Sequence, residues 1–115
     1  MKTNLKPVDP LSHAVFGHDY LQLVFQHETF TIYNDAEFQV EEISLRTGEP
    51  GFCDALVGAI GQRIVSASYS ESGNVVLVFA GGSRFAVRTD SSAVRGPEAW
   101  QFNSPGKPPV VQQNV

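Results

Sequence analysis

Apolar and polar residues alternate in several short stretches of the chain, with the two-residue period of a β-strand that buries one face. In the first of these stretches the apolar positions are Leu21, Leu23, Phe25, Phe30 and Ile32. The alternation is interrupted at residues 27–28, His-Glu, and then resumes. We therefore predict two antiparallel strands joined by a turn at residues 27–28, with Phe25 across from Phe30.

A second stretch with the same pattern shows that the sequence is internally repeated. LQLVFQHETFTIYND occupies residues 21–35, and VVLVFAGGSRFAVRTD occupies residues 75–90. The second copy has one extra residue, and Gly81-Gly82-Ser83 supplies its turn because glycine tolerates a positive φ. This turn places Phe79 across from Phe85. The extra loop residue preserves the register, because a slip by one residue would turn every core side chain to the other face.

Each copy is followed by a third extended segment, in which an aromatic residue, a glutamine and an apolar residue recur in the same order. These segments are Glu37-Phe38-Gln39-Val40 and Ala99-Trp100-Gln101-Phe102, and they align Phe38 with Trp100. Before the second copy, residues 62–69 are β-branched or small and are followed by a turn signal, so we expect them to pair with residues 75–80. Residues 75–79 are apolar on both faces, which favours a central strand covered on both sides.

These patterns predict a mainly β fold in which one domain, residues 1–115, contains two similar three-stranded antiparallel units. A pseudo-twofold sheet, a sandwich and a partly open barrel all agree with the patterns. The first unit spans residues 18–43, and the second spans residues 62–102. One short helix is predicted near residues 52–60, where Phe52, Leu56 and Ile60 are spaced by four and share a face.

Both ends of the chain contain prolines that break regular structure. Residues 1–12 are therefore expected to form an N-terminal arm, and residues 103–115 a C-terminal tail. Within the tail, Val110-Val111 is expected either to add an edge strand or to remain unpaired.

Composition and charge narrow the range of functions. A chain of 115 residues with 42% apolar residues can bury the core of one domain without a metal or a disulfide. The net charge is −4 and the basic residues are scattered, so we predict no nucleic-acid partner.

No run of about 18 apolar residues is present, and no apolar stretch follows the amino terminus, so neither membrane spanning nor a signal peptide is expected. The single cysteine fits a reducing compartment, and the cytoplasm is the expected location.

The sequence contains no residue pattern typical of a catalytic or metal site. His13, His18 and His27 lack the spacing of zinc ligands, and His18 and Asp19 would point to opposite sides of a strand. Cys53 would need a base to act as a nucleophile, and no histidine is placed to serve it. We therefore predict that the protein is not an enzyme and that it binds no cofactor or metal.

Six residues are candidates for contact with a partner. The densest acidic group consists of Asp35, Glu37, Glu41 and Glu42. Paired carboxylates could perform acid-base chemistry or bind a cation, but a solvated edge that discourages strand aggregation also explains them. Tyr33 belongs to a set of tyrosines that could form a recognition face. Trp100, the sole tryptophan, is either a contact residue or a core anchor.

The second half also resembles a group of small bacterial domains of unknown function. The similar segments are GQRIVSASY, GNVVLVFAGGSRFAV and EAWQFNSPG, which together span about Gly61 to Gly106. The shared pattern is a glycine-led strand, a hairpin and a terminal Glu-Ala-Trp. Domains of this style are common near polymorphic-toxin loci, where small acidic proteins serve as immunity factors. The resemblance implies a non-catalytic protein that binds another protein, such as a toxin.

Two other functions remain open on the sequence alone. Small residues could leave room for a ligand or a small active site inside a β barrel, and they are Ser66, Ala67, Ser68, Ala80 and Ala86. Two similar sheets also offer edges that could pair between chains, which would give a homodimer or a self-assembling structural subunit.

Overall fold

The computed structural model describes residues 5–114, and in this part of the chain it contains ten β-strands and one short helix. The strands are β1 (Leu11–Phe16), β2 (Leu21–Phe25), β3 (Glu28–Ile32), β4 (Ala36–Val40), β5 (Ile43–Arg46), β6 (Ile64–Tyr69), β7 (Val75–Phe79), β8 (Arg84–Val87), β9 (Glu98–Asn103) and β10 (Val110–Gln113). The helix α1 (Phe52–Val57) lies between β5 and β6. The predicted mainly β, single-domain fold is confirmed. Residues 1–4 of the predicted arm and residue 115 of the predicted tail lie outside the described residues.

The strands form two five-stranded antiparallel sheets that do not close into a barrel. The first sheet has the order β1-β2-β3-β9-β10, and the second has the order β5-β4-β8-β7-β6. Buried residues from both sheets belong to one hydrophobic cluster, so the two inner faces share a single core. Of the predicted alternatives, the architecture is therefore a two-sheet sandwich.

The two halves of the chain exchange their third strands. β4 follows the first hairpin in sequence but pairs with β8 of the second, and β9 follows the second hairpin but pairs with β3 of the first. Each hairpin therefore has two strands from the other half of the chain on one side. These strands are β9 and β10 for the first hairpin, and β4 and β5 for the second. The predicted units at residues 18–43 and 62–102 are not separate sheets, because the short connection at residues 33–35 carries the chain from one sheet to the other.

The two hairpins have the same register, which makes them structurally equivalent. Leu23 lies across from Phe30 in the first hairpin, and Leu77 lies across from Phe85 in the second. The predicted partners of Phe30 and Phe85 are Phe25 and Phe79. Both predictions are wrong by two residues, because the turns are at residues 26–27 and 80–82. The longer second turn uses Gly82, whose φ of 97° favours glycine. The shift is the same in both halves, so the two hairpins still correspond to each other as the repeat predicts.

The strands β1 and β6 occupy equivalent edges of the two sheets. Each carries a register shift at the same point, between Leu11 and His13 in β1 and between Ile64 and Ser66 in β6. β1 begins inside the segment 1–12 that the sequence assigned to an arm and lies outside the predicted first unit. Its alternation is hidden because the bulge interrupts the two-residue period.

The register of the third strands corrects the predicted alignment of Phe38 with Trp100. Phe38 of β4 lies across from Phe85, and Phe102 of β9 lies across from Phe30. Since Phe30 and Phe85 are equivalent, Phe38 corresponds to Phe102. A shift of two residues keeps the same face of a strand, so a short pattern of residue types could not reveal it.

The structural counterpart of Trp100 is Ala36. Trp100 lies across from Ile32 in the first sheet, and Ala36 lies across from Val87 in the second. Ile32 and Val87 are equivalent, because each pairs with the first residue of the preceding strand in its hairpin. One half of the sandwich therefore places an indole where the other half places a methyl group.

The strand β7 lies inside its sheet, between β6 and β8. Val75, Leu77 and Phe79 are buried, whereas Val76 and Val78 are half-buried. The predicted cover on both faces is therefore incomplete, because a two-layer sandwich leaves the outer face of each sheet partly open to solvent.

The helix α1 is shorter than the predicted segment 52–60. Phe52 and Leu56 are buried as predicted, but Ile60 is exposed and Ala59 is buried in its place. The helix ends before Gly58, so the spacing by four no longer applies at residue 60. α1 contacts β1 and β4 and thereby covers the end of the sandwich near the β4–β5 hairpin.

The strand β10 lies within the predicted C-terminal tail. Val110 pairs with Phe102 and Val111 pairs with Gln101 of β9, so the edge-strand alternative is the one observed. The prolines of this region lie in the loop before β10, where they interrupt no ladder. β10 corresponds to β5, the edge strand beside β4 in the other sheet.

Candidate functional site

Trp100 lies in the core of the sandwich. Its side chain is completely buried, and its Nε1–H donates a hydrogen bond to the carbonyl of Gly73 at 2.7 Å. The ring of Tyr69 packs edge-on against the indole, with 5.3 Å between ring centroids. Trp100 is therefore a core anchor and forms no part of a surface that a partner could contact.

The four acidic candidates do not form one patch. Asp35 and Glu37 face arginines: Oδ1 of Asp35 lies 3.0 Å from Nε of Arg95, and Oε2 of Glu37 lies 4.0 Å from Nε of Arg46. Glu41 and Glu42 are exposed in the turn between β4 and β5. Two of the carboxylates are thus paired with a positive charge, and the other two lie apart at a hairpin turn.

The histidines lie in separate places. His27 Nδ1 is 3.2 Å from a carboxylate oxygen of Asp9, and His13 is exposed on β1. His18 Nε2 lies 3.6 Å from Oδ1 of Asp19, so the prediction that these side chains point apart is wrong. They belong to the β1–β2 loop, where strand alternation does not apply. Within residues 5–114, no group of three or more His, Cys, Asp or Glu residues is arranged to hold a metal ion.

An open cleft lies where the β1–β2 loop meets the two segments that connect the sheets. Its outer part, the outer basin, has a volume of about 520 Å³ and is lined by His18, Asp19, Tyr33, Arg95, Gly96, Pro97 and Glu98. Its inner part, the inner pocket, has a volume of about 270 Å³ and shares His18, Tyr33 and Arg95 with the basin. The other walls of the inner pocket include Phe16, Tyr20, Leu21, Ile32, Asn34, Thr47, Phe52 and Cys53. Of the six predicted contact residues, Tyr33 alone lines the cleft.

Phe16 and Tyr20, on either side of the β1–β2 loop, form an aromatic rim on the cleft. Their side chains are 43% and 40% exposed. The loop is closed by a hydrogen bond from the N–H of Gly17 to the carbonyl of Tyr20 at 2.8 Å. A Cβ at residue 17 would lie 2.5 Å from the ring of Tyr20, so glycine is what allows the ring to pack there. The sequence offered a signal for this rim, since aromatic residues flank a short Gly-His-Asp turn.

Arg95 is the positively charged group of the cleft. It lies in the segment between β8 and β9 and lines both the outer basin and the inner pocket. Its side chain is half exposed, and its Nε lies 3.0 Å from a carboxylate oxygen of Asp35. No pattern in the sequence identifies Arg95, because only the exchange of strands brings this segment next to the β1–β2 loop.

Asn34 forms a buried polar floor beneath the cleft. Its amide nitrogen donates to the carbonyl of Arg88 at 2.9 Å and to the side-chain oxygen of Asn114 at 2.8 Å. The amide of Asn114 donates in return to the Asn34 oxygen at 2.9 Å and to the carbonyl of Gly96 at 2.7 Å. These bonds join three separate segments of the chain. A fully satisfied network of this kind fixes the relative position of the segments that line the cleft.

A second polar cluster holds the start of the β8–β9 segment. Nε of Arg88 lies 2.9 Å from the carboxylate of Asp90, which also accepts a hydrogen bond from the hydroxyl of Ser92. The Ser92 hydrogen bond and the charge of Arg88 hold the pKa of Asp90 below its ordinary value of 3.8. The cluster therefore favours an ionised Asp90 and orders the beginning of the segment that carries Arg95.

No family model, curated protein or solved structure matches this chain. In the described part of the chain, no helix combines the length and apolar character needed to cross a bilayer. The feature that best indicates a function is the cleft itself, where two aromatic side chains and an arginine surround an opening whose floor is fixed by hydrogen bonds.

Proposed function

We propose that the protein is a non-catalytic binding module that recognises another protein through the cleft and its aromatic rim. The observation that carries this proposal is the exposure of Phe16 and Tyr20 beside Arg95 at one opening. Aromatic and arginine side chains are enriched at the energetic centres of protein interfaces. Here the hydrogen bonds of Asn34 and Asn114 hold the segment that carries Arg95 at both Arg88 and Gly96, which limits the conformational entropy that binding would cost.

The openness of the cleft supports a protein partner over a small molecule. Pockets for small ligands usually bury about 70–90% of the ligand surface. In the outer basin, however, the side chains of His18 and Asp19 are 98% and 87% exposed. A small molecule in this basin would remain largely in contact with water, whereas the surface of a protein could cover both the basin and the rim.

The specific form of this proposal is an immunity-like protein that neutralises a partner by stoichiometric binding. The net charge of −4 supports a partner with complementary positive charge, since electrostatic attraction raises association rates. Asp19 and Glu98 lie on the wall of the outer basin, where they would face such a partner. A single exposed cysteine fits a location in the reducing cytoplasm.

Affinity purification of the tagged protein from its source cells tests the proposal. We expect a partner at fixed stoichiometry, measured by native mass spectrometry. Replacing an exposed rim residue, Phe16→Ser, should then weaken binding by at least about tenfold, or about 1.4 kcal/mol. Val65→Ser is the matched control, because Val65 is 54% exposed on β6, the strand equivalent to β1, and does not line the cleft.

Two results would contradict this proposal. One is the absence of any stoichiometric partner, and the other is an equal loss of binding in the Phe16 and Val65 variants. Light scattering on the purified protein alone distinguishes the self-assembling alternative. A dimer that the Phe16→Ser change dissociates would indicate that the rim serves self-association instead.

A further inference from the structure

The two halves of the sandwich differ in how they fill equivalent positions. In the half that contains Trp100, the indole packs edge-on against Tyr69 and donates a hydrogen bond to the carbonyl of Gly73. Gln112 of the edge strand pairs with Trp100 and accepts a hydrogen bond from the Tyr69 hydroxyl. This indole site thus consists of an aromatic wall, a loop carbonyl and a polar edge-strand residue.

Each part of the indole site has a counterpart in the other half. Phe16 corresponds to Tyr69, because each is the last residue of its edge strand and pairs with the first residue of the next strand. Thr47 corresponds to Gln112, since Thr47 bonds to the backbone of Ala36, the counterpart of Trp100. The β1–β2 loop at residues 17–20 corresponds to the loop at residues 70–74 that contains Gly73.

The counterpart lacks the indole, and the inner pocket lies next to it. Ala36 ends at Cβ and is buried, so it does not line this pocket itself, whereas Phe16 and Thr47, the counterparts of Tyr69 and Gln112, do line the pocket. Its walls include Phe16, Thr47, Leu21 and Ile32, and Phe52 of α1 closes it on another side. The sandwich therefore surrounds an indole in one half, and in the other half it leaves an accessible pocket whose walls include the counterparts of Tyr69 and Gln112.

We propose that the inner pocket binds the side chain of a tryptophan presented by the partner protein. The inference rests on the proposed function and adds the chemistry of the residue that enters the cleft. Aromatic walls at Phe16, Tyr20 and Tyr33 favour a flat ring over an aliphatic group. Thr47 supplies a hydroxyl oxygen on the same walls, which accepts a hydrogen bond from the N–H of Ala36 and has a second lone pair for a buried indole N–H.

The proximity of the two parts of the cleft supports a side chain of a protein as the source of the ring. The inner pocket and the outer basin are adjacent and share His18, Tyr33 and Arg95 on their walls. A ring held in the pocket would therefore be attached to a backbone that lies in the basin. Arg95 and Glu98 on the basin wall can then bond to that backbone or to neighbouring side chains.

A model compound tests the pocket without knowledge of the partner. We expect N-acetyl-L-tryptophanamide to shift the amide signals of residues 16, 20, 33 and 47 in NMR titrations of the folded protein. N-acetyl-L-leucinamide should bind about tenfold more weakly, because it lacks the aromatic contacts. Equal binding of the two compounds, or shifts outside the cleft, would overturn the inference. Tighter binding of free indole than of the acetylated amide would overturn the assignment to a protein side chain.

Chemical blocking of the pocket avoids the risk that a variant fails to fold. Cys53 is the sole cysteine, is exposed and lines the inner pocket, so it can be modified after folding. N-phenylmaleimide at Cys53 should abolish binding of the tryptophan compound. Methyl methanethiosulfonate, which adds only a small group, is the control and should leave at least half of the affinity.

The same modified proteins distinguish this inference from the proposed function. A partner that binds the blocked and unblocked proteins equally would refute the tryptophan site and leave the protein-binding function intact. A partner that is lost on blocking, and on replacement of one of its own tryptophans by alanine, would support both. If no partner exists, the proposed function fails, and the absence of binding by the tryptophan compound would then refute the pocket as well.

Discussion

The indole N–H of Trp100 donates a hydrogen bond to the carbonyl of Gly73 at 2.7 Å, and this bond joins β9 in one sheet to the β6–β7 loop of the other. The two residues are 27 positions apart in sequence. The bond exists because β9 crosses to the sheet of the first hairpin and faces the second across the core. It is therefore a direct consequence of the exchanged strands.

Trp100→Phe should reduce the free energy of unfolding by about 2–4 kcal/mol. The change leaves the buried carbonyl of Gly73 without its donor and creates a cavity in the core. Urea denaturation measures the effect. Tyr69→Phe is the matched control, because it removes only a hydroxyl that bonds to Gln112 near the surface, and it should cost about 1 kcal/mol or less. Equal losses in the two variants would mean that the bond to Gly73 contributes little.

The two-residue periodicity of the sequence identified the strands in which every inward-facing position is apolar. Leu21, Leu23 and Phe25 alternate without interruption and are buried in the structure. β1 escaped detection because its bulge follows Leu11 and its next residues, Ser12 and His13, are exposed. Edge strands bury less of their length, so their composition differs less from that of loops.

The exchange of strands could not be predicted from periodicity. The alternation within β4 or β9 shows which side chains are buried, but it does not show which neighbouring strand supplies the hydrogen bonds. The cleft depends on this exchange, because Arg95 and Asn34 reach it from connecting segments without regular pattern. Tyr33 was a candidate because tyrosines are typical of recognition faces, and it is the predicted contact residue that lines the cleft.

Phe25→Ala and Phe79→Ala should destabilise the protein by similar amounts, each about 3–5 kcal/mol. Both rings are completely buried, and they occupy equivalent positions across from Leu11 in β1 and Ile64 in β6. The comparison tests the internal symmetry directly, since equal surroundings give equal cavity costs. Thermal and urea unfolding of the two variants supply the measurement. A difference larger than about 2 kcal/mol would show that the two sites are not energetically equivalent.

Asn34→Ala should reduce stability by about 1–3 kcal/mol, because the change removes the donor to the carbonyl of Arg88 and both hydrogen bonds between Asn34 and the side chain of Asn114. Asn114→Ala should have a smaller effect, since Asn114 is only partly buried. The double variant should cost less than the sum of the single variants, because the two amides bond to each other. If the losses of stability measured by urea denaturation were additive, Asn34 and Asn114 would not act as one hydrogen-bonded unit beneath the cleft.

Asp90 should contribute to stability above pH 4 and lose this contribution in acid. Its folded pKa lies below the ordinary 3.8, first because of the Ser92 hydrogen bond and then because of the charge on Arg88. A lowered pKa means that the unfolded chain binds the proton more readily, so stability falls as the pH drops through the folded pKa. The stability difference between the wild type and Asp90→Asn should therefore shrink in that range. Ser92→Ala should raise the pKa of Asp90, whereas Ser91→Ala should not. NMR of the Asp90 carboxyl group as a function of pH measures both changes. A pKa of 3.8 or higher in the wild type would refute the interaction.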